Sequence, residues 1–139
     1  MHSEHLHNVR IAYVVTGWLI AVAVASLLIF VFISLNLLDP DGSGSGRWIT
    51  LSVALGFLVG GVVVGFQTAL APILHGILMG LTSLVAWAVV NAVVSAFFPD
   101  MPWTSLNAQL TINILLVQIL CAIVGTRFGY RFTVARIQP

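Results

Sequence analysis

The chain contains no lysine, and only 6% of its 139 residues carry charge. A soluble domain devotes about a quarter of its residues to charge, so this sequence cannot build a water-facing surface. All five cations are arginines and the net charge is only +1, which provides no electrostatic footprint for nucleic acid. The one cysteine, Cys121, lies in an apolar run, which excludes an internal disulfide, a CxxC redox pair and a cysteine-based zinc site. No Asp, Glu, Lys or Arg falls inside any long apolar run. Such buried ionisable groups mark proton relays and coupled transport, and their absence argues against a proton-coupled exporter. Paired carboxylates, H-E-x-x-H and G-x-S-x-G are missing as well, so the residues offer neither general base, nucleophile nor metal cluster. The chain reads as a non-enzyme with no resident metal or cofactor.

What is abundant is apolar length. Hydrophobic residues make up 60% of the sequence. They fall into four runs, about 11–38, 48–66, 73–98 and 106–126, and a spanning helix needs about 20 residues. These predict a single all-α membrane domain of four transmembrane helices in an antiparallel bundle. The first run is too long for a secretory h-region and is not followed by an A-x-A-like cleavage site. Before it lies a polar tail in which His2, Glu4, His5 and His7 read as a solvated segment, with a metal site as the sharper alternative. After it, Asp39, Pro40, Asp41 and the Gly/Ser alternation of residues 42–46 break the helix.

The stretch 55–81 reads as the centre of the fold. Gly56, Gly60, Gly61 and Gly65 lie on one arm, Gly76 and Gly80 on the other, with Gln67 and Thr68 opening the turn and Pro72 starting the next helix. In water each glycine costs a helix about 1 kcal/mol relative to alanine. In lipid small residues instead let helix backbones approach closely. Gly56/Gly60 and Gly61/Gly65 form two G-x-x-x-G pairs pointing roughly 140° apart at 100° per residue. That geometry suits a helix placed between two neighbours. On the first helix Gly17, Ala21 and Ala25 form a further small-residue stripe.

Polar residues within the runs are few. Asn91, Asn113 and Gln118 are expected to act as interhelical glue, with Asn91 and Asn113 placed at matching depth and either facing each other or sharing one polar partner; Ser83 joins them as a candidate pore lining. His75 is expected to hydrogen-bond near the hairpin turn, to Gln67 or Thr68, with haem or pigment ligation as the alternative. Trp18 and Trp87 read as packing residues or a cofactor wall.

Arg10 precedes the first run and Arg127, Arg131 and Arg136 follow the last, while Arg47 stands alone between runs beside Asp39 and Asp41. The positive-inside rule therefore puts both termini in the cytoplasm. Trp48 and Trp103 would form an outer aromatic belt, Phe128 and Tyr130 an inner one.

The segments GGVVVG at 60–65 and HGILMG at 75–80 resemble the YrzE-type family of small bacterial four-helix membrane proteins. That resemblance implies the bacterial cytoplasmic membrane and no known activity. Two functional readings remain: an accessory subunit packing through small-residue faces onto other integral membrane subunits, or a homo-oligomeric channel or transporter lined by uncharged polar residues.

Overall fold

The computed structural model describes residues 8–38, 46–68, 70–97 and 108–137, with side chains over 111–135 in the last stretch. The N-terminal His/Glu group, the 39–45 loop and the 98–107 loop with Trp103 lie outside the described residues. The rest forms four helices: α1 (Ile11–Ser34), α2 (Gly46–Gln67), α3 (Pro72–Phe97) and α4 (Ala108–Ile137). All four are long and apolar enough to cross a membrane.

Two helix ends differ from the apolar boundaries. α1 stops at Ser34 although apolar residues continue to Leu38. Asn36 takes a left-handed backbone (φ 53°), a conformation asparagine tolerates better than most residues. Its N–H donates to Ile33 O at 3.0 Å and that of Leu37 to Phe32 O at 2.9 Å, the paired bonds of a Schellman cap. At the other extreme α4 continues through the arginine-bearing tail to Ile137. Gly125 and Gly129 do not end it, because both are pressed into α2. A methyl carbon at Gly125 would lie 3.0 Å from Val62 N, and one at Gly129 3.0 Å from Phe66 N. Packing holds the helix where local propensity would release it.

Neighbour order follows the glycines. Gly56 and Gly60 face α1, where added methyl carbons would meet Ala25 Cβ and Ala21 Cβ at 2.9 Å each. Gly61 and Gly65 face α4, against Ala122, Thr126 and Tyr130. Residue numbers rise on α2 as they fall on α1, but rise together on α2 and α4. The hairpin partners α2 and α3 scarcely touch and lie across the bundle from each other. Gly76 and Gly80 pack instead against Ile123 and Ile119 of α4. The packing centre is thus α2 between α1 and α4, and not the α2–α3 hairpin.

Close approach leaves a thin core of Val14, Ala21, Phe57, Val64, Met79 and Ala122. The core lies toward one end. α1 buries Val14, Gly17, Ala21 and Ala25, all in its first half or close to it, and α3 buries Pro72, His75, Gly76, Met79 and Gly80. From residue 81 to residue 97 nothing on α3 is buried.

Candidate functional site

At the packed end the geometry converges on His75. Pro72 starts α3, and Ala71 before it has φ 51° and a fully buried side chain. Its carbonyl accepts from His75 N at 3.2 Å, and the imidazole Nδ1 lies 2.8 Å from the same oxygen. The backbone N–H of Arg10, at the start of α1, donates to His75 Nε2 at 3.2 Å. Nε2 must then carry the lone pair and Nδ1 the proton, which Nδ1 gives to Ala71 O. Both nitrogens of a fully buried ring are engaged by backbone groups.

This corrects the expected partners. Thr68 Oγ1 bonds back to Val64 O at 2.9 Å, and Gln67 is exposed beside Arg10 and Tyr13. His75 instead pins the first turn of α1 to that of α3, two segments 65 residues apart.

Another polar link between these helices is Trp18 Nε1–H donating to Ser83 Oγ at 2.9 Å. It gives Trp18 a structural role on α1 and occupies a hydroxyl read as pore lining. Beyond Ser83 the bundle opens into a cleft of about 430 Å³ between α3 and α4, lined among others by Ser83, Trp87, Thr111, Leu115 and Gln118. Its walls are mostly apolar side chains, with the Trp87 ring partly exposed and the half-buried Gln118 amide lacking any protein partner among the described residues. Three residues singled out separately in the sequence (Ser83, Trp87 and Gln118) therefore share one cleft.

Asn91 and Asn113 do not join them as a pair. Asn91 Nδ2 donates to Trp87 O at 2.8 Å, one turn back on its own helix, and Asn113 is exposed. Hydroxyls inside the helices behave alike: Thr16, Ser34, Thr50, Ser52 and Thr82 each bond to the carbonyl four residues earlier.

Sequence reasoning missed two features. One is the Gly125/Gly129 pair, a G-x-x-x-G whose spacing was visible but which stood beside arginines and read as a helix end. The other is the setting of those arginines. Arg10 lies over the Tyr13 ring (5.7 Å) and Arg47 over Trp48 (5.9 Å), whereas Arg127 and Arg131 flank Phe128 on the outer surface of α4.

No family model, curated protein or solved structure matches the chain.

Proposed function

We propose that this protein is an accessory subunit of an integral membrane complex in the bacterial cytoplasmic membrane, with no catalysis of its own. Its four helices cross in an antiparallel bundle with both termini cytoplasmic, as the arginine distribution requires under the positive-inside rule. The resemblance of its central glycine segments to the YrzE-type family supports the same membrane and implies no activity.

The observation that carries this reading is the contrast between two exposed helix halves. The second half of α1 is bulky, with Leu27, Phe30, Val31 and Ile33 exposed, as suits lipid contact. The second half of α3 also exposes bulky residues, among them Val85, Val89, Val93 and Phe97, but in addition presents Ala88, Ala92 and Ala96 one turn apart, with Trp87 and the α3–α4 cleft alongside. Small residues at this spacing let another helix approach closely, and an amide such as Gln118 gains a partner when one docks. A transmembrane helix of another subunit seated there would close the open half of the bundle.

The test is a photo-crosslinker at position 88, with position 30 as the control, followed by purification of the native assembly. The reading requires a discrete heteromeric product at 88 only, matching a stoichiometric co-purifying subunit. Lipid-only products at both positions would remove it. Reporter fusions at residue 139 and within 42–46 must report opposite sides; a same-side result would remove the topology.

A homo-oligomeric channel keeps one observation in its favour: Gln118 and Asn113 on α4 have no protein partner among the described residues. Self-association together with solute flux in liposomes would favour it over the accessory reading.

A further inference from the structure

Two surface cavities meet on α4, and their chemistries differ. The first, about 550 Å³, is bounded by Val124, Arg127, Phe128 and Arg131. The second, about 390 Å³, lies between α2 and α4 and is bounded by Leu58, Val62, Val124, Gly125 and Phe128. Val124 and Phe128 belong to both, so the basic cavity and a groove walled by hydrocarbon and glycine lie side by side across one ridge of α4. The groove follows from close packing: Gly125 sits against Leu58 O and Val62 N, so α4 lies nearly flush with α2.

Arg127 and Arg131 are four residues apart on a continuous helix, and so lie on one face. Both are exposed, and among the described residues neither has a hydrogen bond, an ion pair or a ring contact. This separates them from Arg10 and Arg47, each of which lies over an aromatic ring. A guanidinium fork matches phosphate oxygens geometrically and holds them with charge-assisted hydrogen bonds. The apolar stem of each arginine can lie along the helix while its head stays at the membrane surface. Val62, level with Arg127, and Leu58, one turn farther toward the bundle's middle, offer nothing to a phosphate and much to a hydrocarbon chain.

We propose that this composite groove is a binding site for an anionic phospholipid. The headgroup phosphate lies between Arg127 and Arg131, and one acyl chain runs over Val124 and Phe128 into the α2–α4 groove. The occupant is an amphiphile because a cavity bordered by two cations adjoins a groove with no polar lining, across the shared Val124–Phe128 ridge. It is anionic because two unpartnered cations stand at the mouth, at the end of the bundle where basic residues gather. The inference rests on the membrane placement of the helices and is independent of the accessory role.

The experiment uses the full chain purified in mild detergent and incubated with equal amounts of phosphatidylglycerol and phosphatidylcholine, with lipid retained per protein read by native mass spectrometry. The wild-type chain is expected to retain phosphatidylglycerol preferentially. Arg127→Gln/Arg131→Gln should lower that preference on the order of 30-fold, the combined effect of two arginines on attraction to an anionic lipid. Arg47→Gln, at the other end of the bundle, should leave it unchanged. Val62→Trp fills the apolar groove without altering charge and should also reduce retention, which tests the acyl half even if the arginine variant folds poorly. Millimolar inorganic phosphate should not displace the lipid.

Equal retention of the two lipids by the wild-type chain would overturn the proposal. So would an Arg47→Gln effect as large as that of the double variant, since this would show diffuse charge attraction. Full displacement by inorganic phosphate would assign the arginines to a free anion instead. A change in oligomeric state on Val62→Trp with retention unaltered would assign the groove to a second copy of the chain.

Discussion

Replacing Gly61 with alanine puts the α2–α4 contact under direct test. In an exposed helix this change gains about 1 kcal/mol of propensity. Here the new methyl carbon would stand 2.6 Å from Ala122 O, 3.1 Å from Thr126 N and 3.2 Å from Gly125 Cα. These are backbone atoms, which cannot rotate away. Ordinary contact begins near 3.4 Å, so relief from 2.6 Å requires the helices to separate locally by about 0.8 Å. A gap of about 0.5–1 Å forfeits a quarter to a half of each dispersion well along the opened interface. Gly65, Gly125 and Gly129 share that interface and lose contact together. The expected outcome is a net destabilisation of about 1–3 kcal/mol, the range for overpacked cores. Reversible unfolding of the purified chain in mixed micelles reads it directly. Gly46→Ala is the control, because a methyl group there meets nothing within 4 Å. Gly17→Ala should lie between the two, since its neighbours Val64 Cγ2 and Met79 Sδ belong to side chains that can move. Adding Gly125→Ala to Gly61→Ala should cost less than the two changes made singly, because the first has already parted the helices. If Gly61→Ala is as stable as the wild-type chain, the close α2–α4 contact does not exist.

Two further perturbations address the polar links. His75→Leu leaves the Arg10 N–H without its acceptor and removes a donor to Ala71 O, and should destabilise by about 1–3 kcal/mol in the same unfolding assay; an unchanged midpoint would show that α1 is not held to α3 at this point. Trp18→Phe and Ser83→Ala should each cost about 0.5–1.5 kcal/mol, and a double-mutant cycle should show that the two costs are largely one and the same, while strict additivity would deny the hydrogen bond.

Hydropathy made the helix number legible, because in a chain this poor in charge the only interruptions are the loops themselves. Helix ends were less legible, since apolar content reports a residue's solvent rather than its backbone. Leu35, Leu37 and Leu38 are apolar but lie outside the helix, Leu35 as its C-cap and the other two past Asn36. Gly125 and Arg127 look like a terminus but belong to a helix held from outside by α2. Spacing on α2 states that two small-residue faces exist; it cannot state which helices fill them. Consecutive elements are usually neighbours, yet α1 and α4 occupy both faces of α2 and leave α3 across the bundle. The partner of His75 was illegible for a different reason. It is a backbone N–H 65 residues away, and a backbone group has no sequence signature.

The same limit explains Asn91 and Asn113, and yields a prediction from register alone. Depths counted from the loop ends place the two amides level. The contacts between α3 and α4 fix the register differently. Gly76 lies against Ile123 and Gly80 against Ile119, so each step up α3 is matched by an equal step down in number on α4. Six residues beyond Gly80 is Ala86, and six before Ile119 is Asn113; these two are level. Asn91 lies five residues farther along α3, about 7.5 Å at 1.5 Å per residue. Its amide bonds back to Trp87 O, one turn earlier on its own helix. Asn91→Leu and Asn113→Leu are accordingly expected to be additive within about 0.3–0.5 kcal/mol, as for sites without a shared partner. A coupling of about 0.6 kcal/mol or more, the average interhelical side-chain bond in a bilayer, would mean that the α3–α4 register differs from the one the glycine contacts define.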